Sequence, residues 1–353
     1  MTRTLAIAAA VGLALTTAAC SNGGSASDTG ATGGSAESAR TPTTLTVYTD
    51  QHMPLVEALT GAYTKKTGVT FKLQGDATVG QIQAEGKASP ADVFLSEDPG
   101  PVAQLGKAGL VTPISGTTMR QVRPGLSSEK SLWVAYAARA RVLYYNPKLI
   151  TKSALPSTLA AITDPQYKGS FAYAPSGAFA ATTQYLISTI GEARTEKFLK
   201  AVKANGINEQ KNGNVRDTVE AGKHAMGLSN HYYWWVKAAE VGGPDHMTSK
   251  IYHFTAGDPG NLVLASGAAI LKSSGQHKAA AAFVAWLTSA DGGQQILANG
   301  DTDTAGAQYP VAPGLASSVV GSLDDVQGPA YDPDIFADQQ AAVDLLQKLG
   351  MTS

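Results

Sequence analysis

Cysteine and charge are both scarce in this chain of 353 residues. A single cysteine is present, so no disulfide can form within the chain. Only 16% of the residues are charged, and the 27 basic and 28 acidic side chains nearly cancel. A nucleic-acid backbone requires clustered positive charge, so nucleic acid is not expected as a partner. A hydrophobic content of 43% is enough for a sizeable core in one large or two ordinary domains.

The sequence also lacks the motifs of common enzymes. It contains no Gly-x-Ser-x-Gly turn, no phosphate-binding loop ending in Gly-Lys-Ser/Thr and no His-Glu-x-x-His helix. The lone Cys20 has another explanation, given below, and is a poor candidate nucleophile. We therefore expect a binding protein and not an enzyme.

No apolar run is long enough to cross a bilayer, which takes about 20 residues. The run from Leu5 to Leu15 follows Arg3, and small residues then lead to Cys20. This pattern predicts a signal peptide over residues 1–19. It resembles a bacterial lipobox, although Thr17 stands where leucine is usual, and so predicts a lipid-modified Cys20. The alternative is an ordinary secreted protein with an incidental cysteine.

Residues 20–43 are mostly Ser, Gly, Ala and Thr and predict a flexible linker. The folded body then begins at residue 44. We expect an extracytoplasmic protein that is held at the outer face of the cytoplasmic membrane, or in the periplasm, by its lipid anchor alone.

Strand-like and helix-like segments alternate through the body, which predicts an α/β fold with a largely parallel sheet. A long strand-like stretch, Leu132 to Tyr145, separates a first portion from a second. The apolar segments Val263–Ala265 and Ala268–Leu271 predict two short strands, and a final helix is expected near Ile335–Leu349. Two lobes joined by crossing strands would form a hinged clamshell whose ligand lies between them.

The most unusual local feature is the segment Asn230-His231-Tyr232-Tyr233-Trp234-Trp235. It follows a short apolar strand and precedes a predicted helix over 236–239. Two phenols at such a turn can converge, and phenolate oxygens suit a hard trivalent cation. A phenol has a pKa near ~10, so only a strongly Lewis-acidic metal displaces its proton at neutral pH. On this dipeptide alone, an aromatic cluster that packs a core or a sugar ring is the better interpretation.

Three further segments change that balance. His52 follows the first strand, Glu97 follows Ala91-Asp92-Val93-Phe94-Leu95-Ser96, and Pro175-Ser176-Gly177-Ala178-Phe179 opens a helix. Together with Asp258-Pro259-Gly260 and Ser266-Gly267-Ala268-Ala269, these motifs make the chain resemble the bacterial ferric-ion-binding proteins. The resemblance runs from about Leu45 to Met351. Those proteins are the substrate-binding components of iron ABC importers and have the two-lobed type II periplasmic-binding-protein fold.

The resemblance implies a set of site residues. Fe(III) would be bound as cargo by His52, Glu97, Tyr232 and Tyr233. A synergistic anion (phosphate, carbonate or citrate) would complete the shell, held by Ser176, Gly177, Ala178, Asn212, Asn230 and Arg141. Independently of the resemblance, a small-residue turn that opens a helix offers free N–H groups to an anion.

Some residues near this set have other interpretations. Asp98 stands where many relatives have a glutamine that hydrogen-bonds the anion, and an ionised carboxylate cannot donate. Arg139 and Arg141 lie near the expected hinge and either balance the anion's charge or form structural ion pairs. The five remaining histidines and the two tryptophans are expected to be ordinary packing or surface residues: His224, His231, His246, His253, His277, Trp234 and Trp235.

We therefore predict a monomer with a first lobe over 44–140 and 263–313, a second lobe over 141–262, and a C-terminal segment 314–353 that packs on the second lobe. Its partners would be ferric iron and the permease and ATPase of an ABC importer. The same fold with an organic solute, a metal chelate or an oxyanion is the first alternative. A surface-anchored metal-dependent hydrolase using Glu97 or His52, or a sensory lipoprotein, are the others.

Overall fold

The computed structural model describes residues 43–303 and 306–352. The predicted signal peptide, Cys20 and the linker up to residue 42 lie outside the described residues. In the part of the chain that is described, no helix is both long and apolar enough to cross a membrane.

Strands and helices alternate, as the sequence pattern predicts. The strands are β1 (Thr44–Thr49), β2 (Thr70–Gln74), β3 (Val93–Ser96), β4 (Val111–Thr112), β5 (Val134–Tyr145), β6 (Phe171–Tyr173), β7 (Ile207–Asn208), β8 (Met226–Asn230), β9 (Lys250–Tyr252) and β10 (Val263–Leu271). The helices are α1 (Met53–Thr67), α2 (Val79–Glu85), α3 (Pro99–Lys107), α4 (Gly116–Met119), α5 (Gly177–Ile190), α6 (Glu192–Asn205), α7 (Asn212–Glu220), α8 (His231–Glu240), α9 (His277–Thr288), α10 (Gly293–Asn299) and α11 (Gln340–Lys348).

Helix α1 shows how local sequence sets the element bounds next to the site. It begins directly after His52 and has a proline in its first turn. The N–H groups of a first turn have no intrahelical acceptor, so the missing N–H of proline costs no hydrogen bond. It ends at Gly68, whose φ of 76° is readily adopted only without a side chain, and whose N–H donates to the carbonyl of Thr64.

The sheet has the strand order β2-β1-β3-β10-β5-β8-β6-β7, with β4 beside β10 and β9 beside β5. Strands β1, β2 and β3 are parallel, as are β6, β7 and β8. Strands β5 and β10 run antiparallel to their neighbours in the middle. We call β1–β4, β10 and the first part of β5 the first lobe, and β6–β9 with the rest of β5 the second lobe.

Strand β5 belongs to both lobes. Up to Ala140 it pairs with β10, where Ala140 lies opposite Val263. From Arg141 onward it pairs with β8, where Arg141 lies opposite Asn230. All 12 of its residues are buried. The chain therefore passes between the lobes within one unbroken strand.

Each lobe has its own hydrophobic core. The first-lobe core joins β1, α1, β3, β10 and α9 around residues such as Leu55, Phe94 and Phe283. The second-lobe core surrounds Phe171 and Met226. The aromatic rings of Tyr232 and Tyr233, which lie on the second lobe's α8, pack against the first-lobe core.

The C-terminal segment differs from the single helix predicted near Ile335–Leu349. A short 3₁₀ helix, Pro333–Ala337, is separated from α11 by the extended residue Asp338. The backbone of Asp338, with φ −142° and ψ 104°, interrupts the helix. Its carboxylate accepts the N–H of Gln340 at 3.2 Å and pairs with Lys107 at 3.5 Å. The two apolar segments predicted within 263–271 form one strand, β10, whose register with β5 shifts between Ser266 and Gly267.

Candidate metal centre

His52 and Glu97 follow two neighbouring parallel strands. Thr49 of β1 pairs with Leu95 of β3, so the residues after both strands emerge at one edge of the sheet. The Nε2 atom of His52 lies 3.7 Å from a carboxylate oxygen of Glu97. The imidazole is 54% exposed and the Glu97 side chain 23% exposed, so both face accessible space.

Tyr232 and Tyr233 lie in the first turn of α8. The helix begins at His231, several residues earlier than the sequence pattern indicates. The two phenol rings stack with their centroids 4.2 Å apart. The ring of Tyr232 meets that of His52 edge to face, with 6.2 Å between centroids. The structure thus brings all four predicted metal-binding residues together, two from each lobe.

Burial keeps the phenol of Tyr232 neutral in the absence of a cation. Removal from water raises the pKa of Tyr232 far above its ordinary value, and the neighbouring Tyr233 and Glu97 raise it further. A proton on this oxygen is displaced only by a strong Lewis acid in direct contact with it. The donor set of one imidazole, one carboxylate and two phenols therefore favours a hard, highly charged cation.

Arg139 forms an ion-pair cluster behind the predicted ligands. It is only 3% exposed, and its Nη1 lies 3.3 Å from a carboxylate oxygen of Glu97. The same guanidinium donates to the Glu97 carbonyl and pairs with the Asp98 carboxylate. Burial disfavours its charge, but Asp98 and Glu97 outweigh that effect and raise the pKa of Arg139. Of the two roles considered for Arg139, the structural ion pair is the one observed.

Helix α5 supplies the first part of the predicted anion site. Ser176 precedes the helix, and its hydroxyl accepts a hydrogen bond from the Asn212 amide at 3.0 Å. The first N–H groups of a helix, here those of Gly177 and Ala178, have no intrahelical acceptor. A Cβ added at Gly177 would meet nothing within 4 Å, so the position beside this residue is open.

Asn230 and Arg141 form the second part of that site. They lie opposite each other on β8 and β5, and Arg141 donates to the Asn230 side-chain oxygen at 2.8 Å. Burial lowers the pKa of Arg141 to about 10, so it stays positively charged at neutral pH. Strands β6 and β8 are parallel neighbours, which places Ser176 and Asn230 at the same edge of the second lobe.

Sequence reasoning missed Asp50, which lies beneath Glu97. Its carboxylate accepts the Glu97 N–H at 2.8 Å and the Ser96 hydroxyl at 3.2 Å. Burial raises the pKa of Asp50 to about 6, although those hydrogen bonds work in the opposite direction. Its position two residues before His52, at a strand end, is the sequence signal that identifies it. A second missed residue, Arg216, donates to the Tyr233 carbonyl at 3.2 Å and holds the first turn of α8.

Comparisons with known proteins place this chain among its relatives. Residues 48–294 match the family described as bacterial extracellular solute-binding protein. An Fe(3+)-binding periplasmic protein of Serratia marcescens is 35% identical over 312 residues, covering 87% of this chain and 90% of that protein. The major ferric iron-binding protein of Neisseria meningitidis serogroup B is 34% identical over 314 residues, and the match covers 87% of this chain and 93% of that protein.

Solved structures give the same result for the fold. Iron-bound HitA from Pseudomonas aeruginosa superposes with a TM-score of 0.77 at 33% identity, covering 88% of this chain and 100% of that one. A Trichodesmium protein in complex with iron and citrate superposes with a TM-score of 0.76 at 24% identity, covering 88% and 100%. The predicted fold class, the two-lobed α/β arrangement of type II periplasmic binding proteins, is confirmed.

Proposed function

Because this chain belongs to the bacterial extracellular solute-binding proteins, and among them to the ferric-ion-binding proteins, we propose that it binds ferric iron outside the cytoplasm and delivers it to the permease and ATPase of an ABC importer. The observation that carries the proposal is the convergence of His52 and Glu97 with Tyr232 and Tyr233 across the cleft.

Binding joins the two lobes through the ion. His52 contributes a neutral ring nitrogen and Glu97 a carboxylate oxygen from the first lobe. The phenols of Tyr232 and Tyr233 each release one proton to solvent as their oxygens bind the cation. Since two ligands come from each lobe, the bound ion favours the closed arrangement of the cleft.

A small anion is proposed to occupy the coordination positions that the protein leaves open. Ser176, Gly177, Ala178 and Asn212 would bind it at the start of α5, where N–H groups and the helix dipole favour negative charge. Asn230 and Arg141 would hold its other side. The Asp98 carboxylate adds negative charge close to Glu97, because both pair with the Arg139 guanidinium. This extra charge favours an anion of low charge, such as hydrogencarbonate, over doubly charged phosphate.

Attachment to the membrane is proposed to be through Cys20. The lipid-modified cysteine and the linker over 20–43 would hold the binding domain near the importer while leaving it free to turn. The protein would act as a monomer, with no partner other than the importer and its cargo.

A visible-light titration tests the iron proposal. Untagged apoprotein is titrated with a weakly chelated ferric salt, with hydrogencarbonate or phosphate present. We expect a tyrosinate-to-iron absorption band that saturates at one ion per chain and is lost in Tyr232→Phe and Tyr233→Phe. Tyr63→Phe is the control, because Tyr63 is buried among Phe71, Phe283 and Trp286, within the first-lobe core. Absence of the band in the unaltered protein with either anion would refute the proposal, and binding of an organic solute would then be tested.

A further inference from the structure

A buried hydrogen-bond chain connects the two first-lobe ligands from below. Gln51 is 5% exposed, and its side-chain oxygen accepts the backbone N–H of His52 at 2.9 Å. Its amide nitrogen donates to the hydroxyl of Ser266 at 3.1 Å. Ser266 in turn donates to the carbonyl of Glu97 at 3.0 Å. The backbones of His52 and Glu97 are thus connected through two side chains.

The direction of every bond in this chain is fixed by chemistry. The His52 N–H can only donate, so the Gln51 oxygen and not its nitrogen must face it. The Gln51 nitrogen then donates to Ser266, and the one hydroxyl proton of Ser266 is left for the Glu97 carbonyl. The amide nitrogen also donates to the Tyr136 hydroxyl at 3.3 Å. If the Gln51 amide were rotated by half a turn, its NH2 group would face the His52 N–H, and two donors would meet. A single orientation of the amide is therefore favoured.

The sheet is irregular beside Ser266, and the extra residue lies on β5: Ser266 pairs with Ala137 and Gly267 with Ala135, which leaves Tyr136 without a partner in β10. A bulge of this kind re-aims the side chains beside it and is common next to functional sites. Gly267 is required at this place, because a Cβ there would lie 2.4 Å from a Val102 methyl group.

We propose that Gln51 and Ser266 are positioning residues that set the distance between His52 and Glu97 before the cation arrives. The proposal rests on the proposed ferric-ion site and concerns residues that do not touch the ion. Fixing ligands in advance increases affinity because less conformational freedom is lost on binding. Loss of an outer partner of a metal ligand typically lowers metal affinity about 10–100-fold.

The test compares Gln51→Met and Ser266→Ala with a matched control, Gln294→Met. Gln294 is also fully buried, and its amide donates to the carbonyls of Tyr136 at 2.7 Å and Leu287 at 2.8 Å. Its oxygen accepts from the N–H groups of Val311 and Ala312. None of these bonds reaches His52 or Glu97, so the control measures the general cost of losing a buried glutamine.

Ferric affinity is measured by competition with a chelator, and stability by thermal unfolding of the apoprotein. We expect Gln51→Met and Ser266→Ala each to lower ferric affinity about 10–100-fold, while the tyrosinate band keeps its wavelength. The double variant should bind ferric iron only slightly less tightly than the weaker-binding of the two single variants, because both substitutions break the same hydrogen-bond chain. Gln294→Met should lower the unfolding temperature and leave the affinity unchanged.

Two outcomes would overturn the inference. One is unchanged ferric affinity in a folded Gln51→Met or Ser266→Ala protein. The other is a loss of affinity in Gln294→Met as large as in Gln51→Met, which would show a general effect of destabilisation. If Gln51→Met does not fold, Ser266→Ala decides alone. Absence of the tyrosinate band in the unaltered protein would instead refute the proposed function itself.

Discussion

The Nε2 atom of His52 lies 3.7 Å from a carboxylate oxygen of Glu97. Both side chains lie at the carboxyl edge of the first lobe, one after β1 and one after β3, and both remain partly exposed. In the proposed site these two side chains are the metal-binding groups of the first lobe.

Glu97→Gln keeps the shape of the side chain and removes its charge. The variant should bind ferric iron at least about tenfold more weakly, equal to about 1.4 kcal/mol, because the proposed site loses its only charged carboxylate oxygen donor. Chelator competition measures the affinity. Glu129→Gln, at an exposed position, is the control. Equal affinity in the Glu97 variant would remove Glu97 from the site.

Asp98→Asn should change the preferred anion. The substitution removes one negative charge beside Glu97, so a doubly charged anion is better tolerated. We expect iron retention in phosphate to improve relative to hydrogencarbonate, by about tenfold or less. The half-life of chelator-driven iron release, measured in each anion, gives the ratio. Asp324→Asn, which alters the surface pair with Arg123, should leave the ratio unchanged.

Asp50→Asn should stabilise the apoprotein at pH 7.5. The pKa of Asp50 is about 6 in the folded protein, against about 3.9 in an unfolded chain. The folded state therefore holds the proton more tightly, and ionisation costs stability above pH 6. The variant should gain about 3 kcal/mol at pH 7.5, and the gain should disappear as the pH falls from 6 to 4. Urea unfolding at several pH values tests this, and a pH-independent difference would contradict it.

His231 should make the protein acid-sensitive. Its ring is fully buried, accepts the Ala140 N–H at 3.1 Å and bonds the Ala307 carbonyl at 2.8 Å. Burial lowers the pKa of His231 to about 3. The unfolded chain takes up this proton near pH ~6.5, so the stabilisation is complete above that pH and is lost below it. The slope should be about 1.4 kcal/mol per pH unit down to about pH 3.

Urea unfolding between pH 7 and pH 4.5 measures that slope. His231→Gln should show a shallower dependence, by about one bound proton, than the unaltered protein. His246→Gln is the control, because His246 is exposed. An unchanged slope in the His231 variant would show that the proton is taken up elsewhere.

Asp334→Asn should destabilise the attachment of the C-terminal segment. The carboxylate accepts bonds from the Ser128 hydroxyl and the Trp133 indole, both at 2.8 Å. The amide oxygen can still accept the indole N–H and the amide nitrogen can donate to the Ser128 hydroxyl, but bonds to an uncharged group are weaker, at a cost of about 1 kcal/mol. Thermal unfolding measures the loss. Asp338→Asn breaks only the exposed pair with Lys107 and should change stability little.

The alternation of apolar segments predicted the α/β class, and the motif resemblance predicted the four residues that the structure brings together. The remaining features arise from long-range contacts. Nothing in the sequence around His231 distinguishes it from an ordinary histidine. The imidazole nevertheless forms hydrogen bonds with Ala140 and Ala307, which only the folded chain brings near it. Likewise, nothing in the local pattern shows that the Ser266 hydroxyl bonds the Glu97 carbonyl, because only the pairing of β10 with β3 in the folded sheet brings the two together.

Tyr232 and Tyr233 are consecutive residues on a single helical turn. In the proposed transport cycle, movement of that turn away from the first lobe detaches both phenols at once. The cargo would pass from four protein donors to two without a long-lived state of three. Discharge would then resemble a switch more than a stepwise ligand exchange, and the importer would need to displace only one structural element to collect the ion.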